Sequence, residues 1–205
     1  MTAATPPAGP GTTWDTGPLL SLGHDDVVME EVLARAPGVL AAQAVHVELD
    51  GIAWPAADTG DKPREQAKRV LARPGLLAPE YVLTAAQQDD ADAIRAEIIR
   101  ICGPGGHRGE SAAIVHARDD WLVLVVNDKT ARDVARAAHV GTACVADLLG
   151  ELVDLDAMDV ADAVDLCVDL EKCRMHPGRR VAGRLDLVPR GDGPIVMTPE
   201  QWDLL

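Results

Sequence analysis

Short apolar stretches alternate with helical patterns along most of this 205-residue chain, which predicts a three-layer α/β domain with a mostly parallel central sheet and right-handed crossovers. Two observations carry that expectation. The run WLVLVV, residues 121–126, is continuously apolar, as a parallel strand buried on both faces should be. Around it, amphipathic segments of helical length separate the other strand-like pieces, the spacing of strand–helix–strand units.

The elements follow in order. MTAATPPAGPGTT is rich in Pro, Gly, Ala and Thr and lacks apolar periodicity, so residues 1–11 are expected to be a disordered leader. TTWDTGPLL reads as a strand ending at Asp15, with Gly17 and Pro18 turning the chain into a short helical piece. In DDVVMEEVLARA, Val27, Val28, Val32 and Leu33 recur at helical spacing behind Asp25 or Asp26 as N-cap, and Pro37-Gly38 ends the helix. GVLAA is expected as a short strand. QAVHVELDGIAW then forms a helix with Val45, Glu48 and Leu49 on neighbouring faces. Residues 55–79 hold a basic helix, REQAKRVLAR, and a loop, read as a lid or a partner surface.

EYVLTA is strand-like, and DDADAIRAEIIRIC is an amphipathic helix with Ile94, Ile98, Ile99 and Ile101 on or near one side. The connector CGPGGHRG leads to the helix GESAAIVHARDD, whose first turn carries Glu110. After WLVLVV, NDKTARDVARAAHVG turns directly into another helix, TACVADLLGELVDL gives a short strand and a helix, and MDVADAVDLCVDLEKCRM a last long helix. Its acids Asp159, Asp162, Asp165 and Asp169 are expected on a solvated face. One domain over residues 12–175 and a C-terminal extension over 176–205 result.

A formal charge of −14 and a pI near 4.7 provide no broad attraction to a nucleic-acid backbone. Local basic clusters remain, either Lys62, Arg64, Lys68, Arg69 and Arg73, or Lys129, Arg132 and Arg136. Cys102, Cys144, Cys167 and Cys173 show no CxxC spacing, and no signal peptide or long uncharged apolar span is present. Free thiols in a reducing cytoplasm, away from membranes, are therefore expected. His46, His107, His116 and His139 lack paired metal spacing, and Gly103, Gly105 and Gly106 lack the Lys-Ser/Thr that completes a phosphate loop.

Four acids fall where a small parallel sheet would bring them together: Asp15, Glu48, Glu110 and Asp128. Sheets of this class place ligand sites at the carboxyl ends of their strands. Converged carboxylates repel unless protons or a cation neutralise them, so the set implies Mg²⁺ or Mn²⁺, and phosphodiester hydrolysis is the usual chemistry there. Each acid also has a plain structural reading: Asp15 and Asp128 as turn or N-cap residues, Glu110 as a first-turn acid, and Glu48 on an exposed helix face.

The order and context of these motifs resemble the PIN-domain nucleases, including VapC-type toxins of bacterial toxin–antitoxin pairs. The similar residues are Asp15-Thr16-Gly17-Pro18-Leu19-Leu20, Val45-His46-Val47-Glu48-Leu49, Gly109-Glu110-Ser111-Ala112-Ala113-Ile114 and Val125-Val126-Asn127-Asp128-Lys129-Thr130-Ala131-Arg132, with the likeness extending over residues 12–175. Many relatives carry two consecutive acids where Asn127-Asp128 stands, and Pro where Ala42 stands.

The resemblance implies a PIN-like fold and a metal-dependent endoribonuclease. Asp15, Glu48, Glu110 and Asp128 would lie around Mg²⁺ or Mn²⁺, with Thr16 hydrogen-bonding a water or a carboxylate and Thr16, Asn127, Lys129 and Arg132 on the substrate side. It further implies an RNA substrate, an antitoxin partner and a capacity to form homodimers. Two readings compete with it. One is a non-catalytic PIN-like interaction module. The other is a receiver-like domain, whose early paired acids and late Lys this chain lacks.

Overall fold

A computed structural model describes residues 11–35, 39–55 and 62–172. The expected leader lies outside the described residues except for Gly11, as do Pro37-Gly38, Cys173 and the C-terminal extension. Strand β1 (Thr12–Trp14) is followed by helices α1 (Thr16–Leu22), α2 (Asp26–Arg35), α3 (Gln43–Ala53), α4 (Lys62–Ala72), α5 (Ala85–Cys102) and α6 (Arg108–Asp119). Strand β2 (Val123–Val125), helix α7 (Lys129–Ala137), strand β3 (Thr142–Ala143) and helices α8 (Val145–Asp154) and α9 (Val160–Lys172) complete the described fold.

All sheet pairings are parallel, in the order β1-β2-β3. Isolated bridges Thr13↔Leu40, Val39↔Leu77 and Ala42↔Tyr81 continue the sheet beyond β1. The parallel segments therefore lie side by side as 77–81, 39–42, β1, β2, β3. The chain builds outward from β1 in one direction, then returns to the other side of β1 and builds the opposite way. The reversal point lies at the carboxyl ends of β1 and β2.

Alternation along β2 shows why the sheet is covered on both faces. Val123 and Val125 join Trp14 and Ala143 in one apolar cluster with residues of α1 to α4, α8 and α9. Leu124 and Val126 point the other way, into a second cluster with Ile98 of α5, Ile114 of α6 and Val134 of α7. A mixed α/β fold with helices on each side of a parallel sheet results, compatible with the predicted three layers.

Local chemistry sets the helix boundaries. The Asp25 carboxylate accepts from Val27 N at 2.8 Å and Val28 N at 3.0 Å, so Asp25 rather than Asp26 caps α2. Thr84 and Gln87 form a reciprocal capping box at the start of α5. The acids Asp159, Asp162, Asp165 and Asp169 are all exposed, as expected of a solvated face.

Several expectations are corrected. Within WLVLVV the strand is Val123–Val125, with Val126 N still donating to the Ala143 carbonyl at 2.8 Å, and it starts late because Trp121 adopts φ 57 in the turn after α6 and stands 87% exposed. EYVLTA contributes a single bridge at Tyr81 before the cap at Thr84 takes over. Val27 and Ile101, assigned to apolar helix faces, are exposed. In the basic segment, α4 packs on α3 and α1 and buries Ala67 and Val70, so one face of this helix belongs to the core. Among the described residues, no helix is long and apolar enough to cross a membrane.

Candidate metal centre

Three of the four expected acids meet. Asp15, Glu48 and Glu110 each offer a carboxylate oxygen, and these oxygens all lie within 4.8 Å of one another. They come from the end of β1, the middle of α3 and the first turn of α6. Asp15 stands at the sheet's reversal point, where open α/β sheets hold their ligands.

Asp15 has two roles. Its Oδ2 accepts from Gly17 N at 3.4 Å and caps α1, while Oδ1 is buried and has no hydrogen-bond partner. The residue is only 5% exposed. An orphan carboxylate oxygen costs desolvation energy unless something binds it.

Glu48 is held from both sides. Its Oε1 accepts from Gly109 N at 2.9 Å and its Oε2 from Thr16 Oγ1 at 2.6 Å. That approach depends on Gly109 having no side chain: a Cβ there would lie 2.5 Å from Glu48 Oε2 and 3.2 Å from Asp15 Oδ1. Glu110 faces His107, whose Nδ1 lies 3.4 Å from Glu110 Oε1. His107 itself takes a left-handed conformation, φ 49, at the N-cap of α6.

Electrostatics match the geometry. Burial, then the charges of Glu110 and Glu48, push the Asp15 carboxyl well above its usual range. Burial, reinforced by Glu48 and opposed by His107, also raises Glu110. The three carboxylates therefore form a set able to hold a metal ion. An all-oxygen carboxylate set with one buried orphan oxygen suits a hard divalent cation.

The remaining expected residues are placed differently. Asp128 is exposed and falls outside the trio: its Oδ1 accepts from Ala131 N at 2.7 Å and caps α7. Asn127 accepts from Val145 N at 3.1 Å and its Nδ2 lies 3.5 Å from Ser21 Oγ, tying β2 to α8 and α1. Thr16 donates its hydroxyl to the Glu48 carboxylate, one of the two partners expected for it. Lys129 is paired with Asp133, and half-buried Arg132 lies near enough for its charge to act on the Cys144 thiol.

Sequence reasoning missed His107 and the Gly109 amide as supports of the site. The spacing of His107 and Glu110, three residues apart at a helix start, was the available signal. The expected basic clusters are largely neutralised within the fold: Lys68 pairs with Glu65, Arg69 with Asp26, Arg73 with Glu30, and Arg136 with Asp133.

No protein-family model matches the chain, and neither curated proteins nor solved structures gave a match.

Proposed function

We propose that the protein is a metal-dependent endoribonuclease of PIN-like fold, of the kind that serves as the toxin in toxin–antitoxin pairs. The observation that carries this reading is the trio Asp15, Glu48 and Glu110, drawn from three elements and closed around the unpartnered Asp15 Oδ1. The motif order over residues 12–175 and the parallel sheet support it.

Asp15, Glu48 and Glu110 would hold Mg²⁺ or Mn²⁺. When bound, that ion supplies charge neutralisation at the scissile phosphate and an activated water for in-line attack, leaving a 5′-phosphate and a 3′-hydroxyl. Thr16 and the Gly109 amide keep Glu48 aimed inward. His107 restrains Glu110, and Gly109 leaves the space that lets the acids converge.

The test is cleavage of single-stranded RNA by the full chain with Mg²⁺ or Mn²⁺, with activity expected to fall at least ~100-fold in Asp15→Asn. Metal-independent cleavage, or full activity in that variant, rejects the reading. A small DNA-binding protein encoded directly upstream would support the toxin role.

A second reading, a non-catalytic interaction module, is favoured by the diversion of Asp128 to helix capping and by the pairing of most surface cations with acids. Calorimetry separates the two, since absence of Mn²⁺ binding favours the module.

A further inference from the structure

Arg95 and Arg108 differ from the paired cations of this acidic protein. Among the described residues neither pairs with a carboxylate. Arg95 donates its Nε to the Gly106 carbonyl at 2.7 Å, which fixes the side chain and leaves its outer N–H groups available. Arg108 is the exposed first residue of α6, where the helix dipole also favours an anion.

Both line one cavity of 490 Å³, and Glu48 forms part of its wall. The cavity therefore shares Glu48 with the acid trio, while Asp15 and Glu110 lie outside its lining. Its volume falls within the roughly 300–1,000 Å³ of small-ligand sites, room for one unstacked nucleotide. Val47 and Tyr81 give it an apolar side, and Gln88 an amide. Tyr81 is held rigid: its ring stacks on His116 with centroids 3.7 Å apart, and its hydroxyl accepts from Gln87. Val47 is 63% exposed, an apolar surface position that contact with a base would cover. Asp92, the other acid on the wall, accepts from Gln88 at 3.2 Å.

We propose that this cavity is a nucleotide subsite: one base of a single-stranded nucleic acid, flanking the scissile bond, enters it, and Arg95 and Arg108 take the adjoining phosphate. The inference deepens the nuclease reading and rests on it for the placement of the scissile bond. Guanidinium groups suit phosphate because their planar fork donates two hydrogen bonds at once. A base still paired and stacked in a duplex cannot enter such a cavity, so the subsite selects single strands.

The test is binding of a fluorescent single-stranded oligoribonucleotide, and of a hairpin of the same length, to the full chain in Ca²⁺ at several salt concentrations. The single strand should bind more tightly than the hairpin. Arg108→Ala should weaken it about tenfold, Arg95→Ala/Arg108→Ala further, and the salt dependence should drop by about one phosphate contact per arginine. Lys68→Ala, on the paired surface of α4, should change nothing. In cleavage assays the arginine variants should raise KM while kcat holds.

Because Arg95 supports the 103–107 connector, Arg108→Ala alone, with an unchanged melting temperature, suffices as the decisive variant. Wild-type affinity in Arg108→Ala, a preference for the hairpin, or no measurable binding of the strand overturns the subsite. RNA cleavage that needs Asp15 but ignores both arginines sinks the subsite and leaves the nuclease reading intact. Arginine-dependent binding without any cleavage does the reverse.

Discussion

Asp15 concentrates the tension of the candidate centre in one side chain. Its carboxyl is held well above the usual range, whereas in the unfolded chain it loses its proton near pH ~4. Above that pH the folded, metal-free protein binds more protons than the unfolded one. This contribution to stability is therefore complete below the unfolded value and is lost as pH rises through the folded value. Asp15→Asn removes the charge, so its melting temperature should exceed that of the metal-free wild type at neutral pH by roughly 2–4 °C, or about 1 kcal/mol. The difference should shrink towards pH ~4, and thermal melts across pH check both statements. Gly109 is equally exacting. In Gly109→Ala the new methyl group collides with Glu48, whose two oxygens are already engaged, so about 1–3 kcal/mol of stability and most Mn²⁺ affinity should be lost. A melt and a calorimetric titration measure the two effects.

Helix starts do much of the positioning here. Asp15 caps α1, Asp25 caps α2, Asp128 caps α7, and the Glu48 carboxylate takes the Gly109 amide in the first turn of α6. A carboxylate at a helix N-terminus answers unpaired N–H groups and the dipole, so the same position serves structure or chemistry. Asp128 caps α7 and lies outside the trio. Asp128→Ala should cost ~1 kcal/mol and leave Mn²⁺ affinity as in the wild type. A fall in affinity would return Asp128 to the centre. Helix α5 contributes through its buried face: Ile98 is fully buried between α6 and α7, and Ile98→Ala should cost about 2–5 kcal/mol in chemical denaturation.

For the molecule as a whole, the order 77–81, 39–42, β1, β2, β3 places Asp15 at the point where the sheet's growth reverses. Open α/β sheets hold ligands at such a point, and here α3 and α6 bring Glu48 and Glu110 to Asp15. A cation bound only by the folded state stabilises it by mass action. At a Mn²⁺ concentration ~100 times its Kd the gain is about 2.7 kcal/mol, visible as a raised melting temperature. Asp15 and Glu110 must give up protons to bind the ion, so this gain should increase with pH across the range in which the metal-free protein weakens. Unchanged melting in Mn²⁺ at every pH would count against a metal centre.

Much of this was legible in the chain because it depends on local pattern. Helical periodicity marked α2, α3, α5 and α9, the apolar run at 121–126 marked the central strand, and the acids at 159–169 marked a solvated face. Three of the four candidate acids were also legible, since their positions at element ends are a local property. Local pattern could not separate Asp128 from Asp15, because both stand after a strand and both cap a helix. Only the tertiary structure distinguished them: one oxygen of Asp15 is buried against Glu48 and Glu110, whereas the Asp128 carboxylate faces water. The pairing of surface cations, the packing of α4 into the core and the placing of Arg95 and Arg108 on one cavity wall with Glu48 were likewise decided by contacts between residues far apart in the chain, which no window of sequence contains.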